Sequence, residues 1–573
     1  MPYVNGTYFS QPGPVIQIND SAMVQNLSNA ANGLLLLGSS TDGEPQNVYT
    51  FTSPSSAIAT LKGGPLLQAT LNAFNPSPII PGAPFISCIR VDEAGGTLAG
   101  NTILNATTGT CITLTPTSYG AAANSLKWML STGTLQGYQF SMANDLSPVA
   151  GGLVLPTFTL NNIALYGITV YYSGVGTVPT YTVTSTSISF SATVSGTPTV
   201  LATITFTSTM TIQALVNQIN QNADLVAAVA DPNPNDLVSS LFDIVATAPL
   251  GTTSTAATSV TANATAIVRA INAASGGYFT AVKSPTATIP ATTSTWTYIS
   301  GATTTAPQNT DWQSAYTFAQ TLNNIYAVTP VINTYAIWSM NDAHCQYMQS
   351  IGLPRRGYVG DSVGQLLSVE TAFASTLNSN RTSIVWPGAT GFDYNGNATT
   401  FAPYYVAAMM ASMRCGAAPT RALTNTQLNV TGLETQVTPQ TVATALTGGV
   451  DVLYPNFKNQ VTVAHDITTW LSSTAIDKVE NNVGMEVDVI YQDLWNLFST
   501  YIGLPDDSTV QANLSATTLD RLTYWYEQGY LAASPSASNI NLTFSGTIIT
   551  GSINIAITSP INYISVQFNL TSQ

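Results

Sequence analysis

The sequence has very few charged residues. Asp, Glu, Lys and Arg make up 7% of the 573 residues, whereas they are about 25% of an ordinary soluble domain. Hydrophobic residues make up 45%, and Thr, Ser, Asn and Gln supply the polar surface. A surface with so little charge is better suited to contact with other subunits than to a dispersed monomer.

Basic residues are scarcer than acidic ones. The chain has 13 Lys and Arg against 27 Asp and Glu, a formal net charge of −14. Because a phosphate backbone is bound by clustered Lys and Arg, we expect no nucleic-acid partner. Apolar runs such as Leu34–Leu37 and Val406–Met410 are far shorter than the roughly 18 residues of a membrane span. We therefore expect no stable membrane insertion, and the opening residues lack the pattern of a secretory signal.

Residues suited to catalysis or metal binding are also rare. The four cysteines are too few and too scattered for a disulfide framework, so we expect reduced, packed thiols at Cys88, Cys111, Cys345 and Cys415. The two histidines stand in His344-Cys345 and His465-Asp466, and adjacent side chains on a strand or helix point in different directions. We expect packing or surface roles for both histidines, no catalytic residues, no cofactor and no metal, and thus no enzyme.

The middle of the chain differs from its flanks. Residues 181–190 and 199–206 alternate β-branched or apolar residues with polar ones, which predicts antiparallel strands with one buried face. Only 212–220 and 224–230 have a helical pattern there. We predict a mostly β insertion, divided into domains at 94–150 and 151–300.

The flanks predict a layered α/β core, because candidate strands alternate with candidate helices. The predicted strands are 33–38, 84–91, 330–337, 383–387, 450–453 and 461–465. The predicted helices are 53–61, 65–74, 311–326, 403–415 and one that Thr438-Pro439 begins and Gly448 ends. The predicted fold class is therefore mixed α+β, with an α/β core split into 21–93 and 301–535, the β insertion, and extended strand arms at 1–20 and 536–573.

The two ends lack an obvious partner. Residues 539–544, 548–557 and 561–569 are patterned as strands, and the last alternates strictly. A terminal strand must pair its backbone groups, either within its own subunit or at a neighbour's sheet edge, and both alternatives remain open. Under the second we expect segments 1–20 and 550–573 to be exchanged between subunits. Its candidate residues are Val15, Ile16, Ile18, Ile564, Val566, Phe568 and Leu570.

Acidic residues concentrate near the C-terminus. Residues 461–530 hold ten acidic and two basic residues. Apolar residues recur there at three- or four-residue spacing from Ile476 to Tyr501, which predicts a helix with one face in the core. Acidic helix faces are usually solvated, and the alternative in a chain with so little charge is that this face meets a basic partner surface.

Several segments, taken in order, resemble the tail sheath proteins of contractile phages. The resemblance covers 1–93 and 301–573, while 150–300 resembles no named family. Its segments are 3–18, 63–74, 119–124, 311–326, 351–360, the strand to Trp386-Pro-Gly388, 403–408, 418–429, 461–469 and 501–503. No single segment is diagnostic, and the signal lies in their order.

The resemblance implies a structural subunit of a phage tail or a related contractile injection machine. It implies hexameric rings of copies in a six-start helix around an inner tube, with terminal strands that complete a neighbour's sheet, and contraction that drives the tube through the host envelope. The implied partners are other copies, the tail tube protein, and the baseplate and tail terminator proteins. The implied location is the virion, after assembly in the host cytoplasm. Asp488 and Asp493 would then face the tube.

An alternative is a β-rich tail adhesin or receptor-binding protein whose insertion binds host glycans. A glycan site needs clustered aromatic residues on exposed strands. Those of the insertion are scattered at Tyr171, Tyr172 and Tyr181 or lie near its end at Tyr278, Trp296 and Tyr298.

Overall fold

The structure is a computed structural model that describes residues 3–4, 7–8, 32–91, 99–144, 158–274, 278–293, 295–304, 306–545 and 547–560. It mixes helices with several sheets, and its hydrophobic residues form distinct clusters in the core and in the insertion. At the N-terminus, β1 (Tyr3–Val4) pairs antiparallel with β2 (Thr7–Tyr8). None of the helices in these ranges is long and apolar enough to cross a membrane.

The largest sheet has eight strands and joins the two flanks of the chain. Six strands are parallel, and each edge carries one antiparallel strand. In chain order they are β3 (Gly33–Gly38), β4 (Val48–Phe51), β5 (Ile86–Arg90), β20 (Ile325–Pro330), β21 (Arg356–Val359), β22 (Thr382–Trp386), β26 (Val450–Pro455) and β27 (Val461–Val463). Across the sheet the order is β27-β26-β22-β21-β20-β3-β5-β4.

Helices cover both faces of this sheet, which explains why its strands are apolar throughout. Leu34 and Leu36 pack on one face and Leu35 and Leu37 on the other, as the two-residue period of a strand requires. The helices are α1 (Pro54–Leu61), α2 (Gly64–Phe74), α5 (Asn309–Ala319), α6 (Tyr335–Ser350), α7 (Leu367–Leu377), α8 (Pro403–Gly416), α9 (Pro439–Thr447), α10 (Ile476–Val479), α11 (Asn481–Ser499) and α12 (Ser508–Glu527). A smaller antiparallel sheet has β23 (Ala389–Phe392) at its centre, between β24 (Ala398–Phe401) and β25 (Gly432–Leu433).

The insertion contains two nested packing units. The outer unit has one cluster of buried residues drawn from 99–163 and 264–302. Its elements are β6 (Asn101–Leu104), β7 (Thr110–Pro116), β8 (Leu126–Thr132), β9 (Tyr138–Asn144), β10 (Phe158–Ile163), α4 (Asn263–Ala274), β18 (Phe279–Lys283) and β19 (Thr297–Tyr298). The inner unit has its own cluster, from 168–262. Its elements are β11 (Tyr166–Tyr172), β12 (Thr177–Val183), β13 (Ser187–Val194), β14 (Thr197–Thr205), α3 (Ile212–Ile219), β15 (Leu225–Val229), β16 (Val245–Pro249) and β17 (Thr258–Thr261).

The chain enters and leaves each unit at neighbouring positions. The backbone nitrogen of Gly100 donates to the carbonyl of Ser300 (3.4 Å), and that of Ala262 donates to the carbonyl of Leu165 (2.8 Å). An insertion whose ends meet disturbs its host little. The predicted domain bounds at 150 and 151 stay a prediction, and the observed packing groups 264–302 with 99–163.

A buried polar contact joins the insertion to the core. The carboxylate of Asp42 lies 2.6 Å from Lys62 Nζ and accepts hydrogen bonds from Ser118 Oγ (2.8 Å) and the backbone nitrogen of Tyr119 (2.9 Å). Arg90, at the end of β5, donates to the carbonyls of Gly43 (2.8 Å) and Tyr119 (3.3 Å). Residues 118 and 119 thereby bind to the core at the C-terminal end of β5.

Several predicted elements within these ranges were wrong. The segment 224–230 forms β15, because pairing with β11 outweighs its helical pattern. The predicted strand 330–337 is divided between the end of β20 and the start of α6, and the predicted helix 311–326 ends at Ala319. Helix α9 is confirmed, since the side chain of Thr438 accepts from the backbone nitrogen of Thr441 (3.2 Å) and Gly448 is the C-cap.

Candidate functional site: the C-terminal hairpin and the buried ion network

The described part of the chain ends in an antiparallel hairpin. Strand β28 (Ile540–Ser545) pairs with β29 (Ile548–Ile553), and no third strand joins them within the described ranges. The exposed fractions of the Ile548 and Ile549 side chains are 61% and 45%. A two-stranded sheet is marginal by itself, and its outer edges carry backbone groups that can pair with another strand.

The hairpin partly corrects the predicted strand exchange. Residues 550–553 were expected to pair with a neighbour, but they lie in β29 and pair within their own subunit. The seven candidate residues for intersubunit pairing lie outside the described residues, so their role stays a prediction: Val15, Ile16, Ile18, Ile564, Val566, Phe568 and Leu570.

A groove lies between this hairpin and the junction of α11 and α12. Its volume is about 430 Å³, and we call it the C-terminal groove. Most of its lining is apolar and comes from both helix ends and both strands, including Phe498, Ile502, Leu504, Leu542, Phe544 and Ile549. The exposed fractions of Ile502 and Leu504 are 84% and 52%. The groove therefore leaves apolar side chains open to solvent.

Helix α11 brings a carboxylate to a pair of arginines inside the core. Arg381 binds Asp488 through both guanidinium Nη atoms, at 2.7 Å each. Arg356 Nε donates to Asp488 Oδ2 (3.1 Å), and Tyr326 Oη donates to the same oxygen (3.0 Å). Burial by itself would raise the pKa of Asp488, but the two arginines and these hydrogen bonds hold it below its usual range. Asp488 is therefore an ionised group that clamps α11 to β21 and β22.

This geometry corrects the expectation that Asp488 and Asp493 face a tube. Their exposed fractions are 1% and 5%. Asp493 forms an ion pair with Arg521 of α12 and accepts a hydrogen bond from Trp525 Nε1 (2.8 Å). Both carboxylates are thus paired within the subunit. The physical reason is that most of α11 is enclosed, so the helix has no open acidic face at these positions.

A second cluster continues the network toward β26. Asn481 donates to Asp466 Oδ1 (2.7 Å), and Arg414 Nη1 lies 3.8 Å from Asp466 Oδ2. Burial raises the pKa of Asp466 despite Arg414. Burial and then the charge of Asp466 raise the pKa of Asp451 well above its usual range. Burial and the charge of Asp466 therefore favour the protonated form of Asp451.

The sequence signal for this network lies in the arginines. Six of the eight arginines are buried: Arg90, Arg355, Arg356, Arg381, Arg414 and Arg521. Arg356 and Arg381 stand in or beside apolar strands, where a cation requires a buried partner. Gly484 of α11 provides the space, because a Cβ atom there would collide with the guanidinium of Arg356.

The two histidines have different surroundings. His344 packs against Tyr316, and its Nε2 lies 2.9 Å from Arg355 Nη1. Burial and then Arg355 lower the pKa of His344 to about 3, so the ring is neutral and accepts this hydrogen bond. His465 Nε2 lies 3.4 Å from Glu480 Oε1. Within the described ranges no three His, Cys, Asp or Glu residues could hold a metal ion.

A buried carboxyl in α7 predicts a dependence of stability on pH. Glu370 is fully buried, and burial followed by the charge of Asp361 raises its pKa from 4.5 to about 8. Tyr335, which donates to Asp361 (2.8 Å), is a second ionisable group near Glu370. Between those two pH values the folded chain holds a proton that the unfolded chain has lost, so this group's contribution to stability falls as pH rises.

We expect Glu370→Gln to reduce that fall, because glutamine does not ionise. Urea unfolding at both ends of this pH window measures the free energies of unfolding, with exposed Asp477→Asn as the control. The same change with pH in Glu370→Gln as in the unaltered chain would contradict the assignment.

Two of the insertion's tyrosines that the adhesin alternative could use are buried. Tyr172 and Tyr181 are 2% and 7% exposed and pack in the inner unit. Their rings are therefore unavailable to stack on a sugar.

Comparison with known proteins gives relatives in sequence and in fold. No family model matches the chain. The tail sheath protein of Bacillus phage SP01 is 24% identical over 582 residues, which cover 98% of this chain and 96% of the relative. The crystal structures of the sheath tail proteins of Desulfitobacterium hafniense and Listeria innocua each match with a TM-score of 0.53 and 12% identity, over 93% of both chains.

The sequence match extends over nearly all of both proteins, and the fold match includes the insertion as well as the split core. Both agree with the order of segments noted in the sequence. The chain is thus similar in sequence to a phage tail sheath protein and in fold to solved sheath tail proteins.

Proposed function

We propose that this chain is the structural subunit of a contractile tail sheath. The observation that carries the proposal is the match to a phage tail sheath protein over almost the full length of both chains. Copies stack in hexameric rings along a six-start helix around an inner tail tube. Contraction drives that tube through the host envelope, and the role is mechanical rather than enzymatic.

The open hairpin supports a strand-exchange mechanism for stacking. In the described part of the chain, β28 and β29 form a sheet of only two strands, so a strand from a neighbour extends it by backbone hydrogen bonds. We propose residues 1–20 and 561–573 as the donated strands. Main-chain pairing keeps copies attached while their bodies rotate, because backbone hydrogen bonds hold when the side-chain contacts between the bodies rearrange.

The buried ions support a rigid body between these connections. Asp488 ties α11 to two strands of the sheet, and Asp493 ties it to α12. Movement during contraction then falls in the arms rather than in the core. The proposed partners are other copies, the tail tube protein, the baseplate and the tail terminator. The proposed location is the virion, after assembly in the host cytoplasm.

Electron microscopy of the purified protein tests the proposal. We expect long striated tubes with six-fold symmetry in cross-section. Discrete particles at every concentration and salt condition would contradict the sheath proposal and favour the tail adhesin alternative.

A further inference from the structure

The turn between β26 and β27 presents an aromatic side chain on a rigid support. The backbone of Asn456 donates to the carbonyl of Gln460 (2.9 Å), and Asn456 Oδ1 accepts from the backbone of Lys458 (2.8 Å) and of Gln460 (3.0 Å). The exposed fraction of Phe457 is 92%, more than any other aromatic side chain in the described ranges. Lys458 Nζ lies 5.7 Å from the centre of the Phe457 ring. We call Phe457 and Lys458 the hairpin knob.

The C-terminal groove has the properties that match this knob. Its volume of about 430 Å³ accommodates a phenyl ring, and its walls are mostly apolar. Asp506 lies in its lining, Asp507 is the next residue, and both are exposed. Residues 481–560 contain one basic residue, Arg521, and it is buried against Asp493. The groove is therefore apolar inside and acidic at its rim.

We propose that the hairpin knob of one copy binds the C-terminal groove of a second copy. Phe457 enters the groove, and Lys458 lies against Asp506 and Asp507. An aromatic anchor in a desolvated pocket, flanked by opposite charges at the rim, is the usual form of a strong protein contact. This inference rests on the proposed function, since it takes the partner to be another sheath subunit.

The contact has a direct consequence for assembly. Knob and groove are different surfaces of one chain, so the contact is heterologous, and repeating it yields a ring or an open helical array rather than a closed dimer. The knob thus supplies a side-chain contact in addition to any exchanged strands.

Cysteine cross-linking between two singly substituted chains tests the contact. The four native cysteines are buried, so new surface thiols are the ones that react. We expect Phe457→Cys chains mixed with Leu504→Cys chains to form disulfide-linked heterodimers in assembled tubes, at least tenfold more than either chain alone. The matched control mixes Val175→Cys, at a 98% exposed residue of the insertion, with Leu504→Cys.

A charge exchange provides a second readout. We expect Lys458→Glu to raise the concentration needed for tube formation at least tenfold, and the double variant Lys458→Glu with Asp506→Lys to restore it. Asp507 is left unchanged because its carboxylate caps α12. The control is Lys478→Glu, which changes a charge outside both surfaces.

Three outcomes would overturn the inference. Wild-type tubes without the 457–504 cross-link would remove the knob contact and leave the proposed function standing. A cross-link from Leu504→Cys to Ile564→Cys in its place would show that residues 561–573, and not the hairpin knob, occupy the C-terminal groove. Failure of the wild-type chain to form tubes would remove the proposed function, and the contact with it.

Discussion

Replacing Asp488 by asparagine is expected to lower the free energy of unfolding by about 3–5 kcal/mol, the usual cost of breaking a buried ion pair by removing one partner. The exposed fraction of Asp488 is 1%, and it is bound by Arg356 and Arg381, which are themselves buried. Asparagine leaves both cations inside the core without a compensating charge. Thermal and urea unfolding, followed by circular dichroism, measure the loss.

The matched control for this variant is Asp477→Asn, which removes the same charge from an exposed position of α10. A surface change of this kind is expected to alter stability by no more than about 0.5 kcal/mol. If Asp488→Asn and Asp477→Asn were equally stable, the ion network would not be what holds α11 to the sheet.

Ending the chain at Pro560 is expected to abolish tube formation while leaving the fold intact. The removed segment contains Ile564, Val566, Phe568 and Leu570, which we propose to pair with a neighbour's hairpin. The described core and hairpin end before this point, so the unfolding temperature should change little. Electron microscopy counts the tubes, and calorimetry confirms the fold.

A matched pair of full-length variants separates pairing from mere length. Serine at Ile564, Val566, Phe568 and Leu570 should prevent tubes, whereas threonine at Ser565, Gln567 and Asn569 should not. These two sets alternate along the segment, and only one face of a strand meets the acceptor. Normal tubes from both the chain ending at 560 and a chain starting at 21 would contradict strand exchange.

Much of the core fold could be predicted from local patterns. The run Leu34–Leu37 is apolar at every position and bounded by glycines, as a strand covered on both faces requires. Helix α9 has a threonine cap, a proline at its first position and a glycine at its end. Such signals lie within a few residues of one another, so they can be recognised from one sequence without the structure.

The parts that could not be predicted depend on distant residues. Arg356 and Asp488 are 132 positions apart, and helical spacing gave no sign that α11 would be enclosed by the sheet and α12. Helix α4 was missed, although Ala264, Ile267 and Ile271 recur at the spacing of one buried face. The nesting of the insertion was also missed, because residues 264–302 return to strands that precede the inner unit.

The nested insertion imposes an order on synthesis. Strand β3 lies between β5 and β20, so the ribosome must make all of 91–324 before β3 can acquire its second neighbour. Meanwhile the nascent chain presents a leucine-rich strand with one open edge, and such edges aggregate readily. The inner unit can close first, the outer unit next and the parallel sheet last. The supply of host chaperones that shield β3 during this interval would then set the yield of folded subunits.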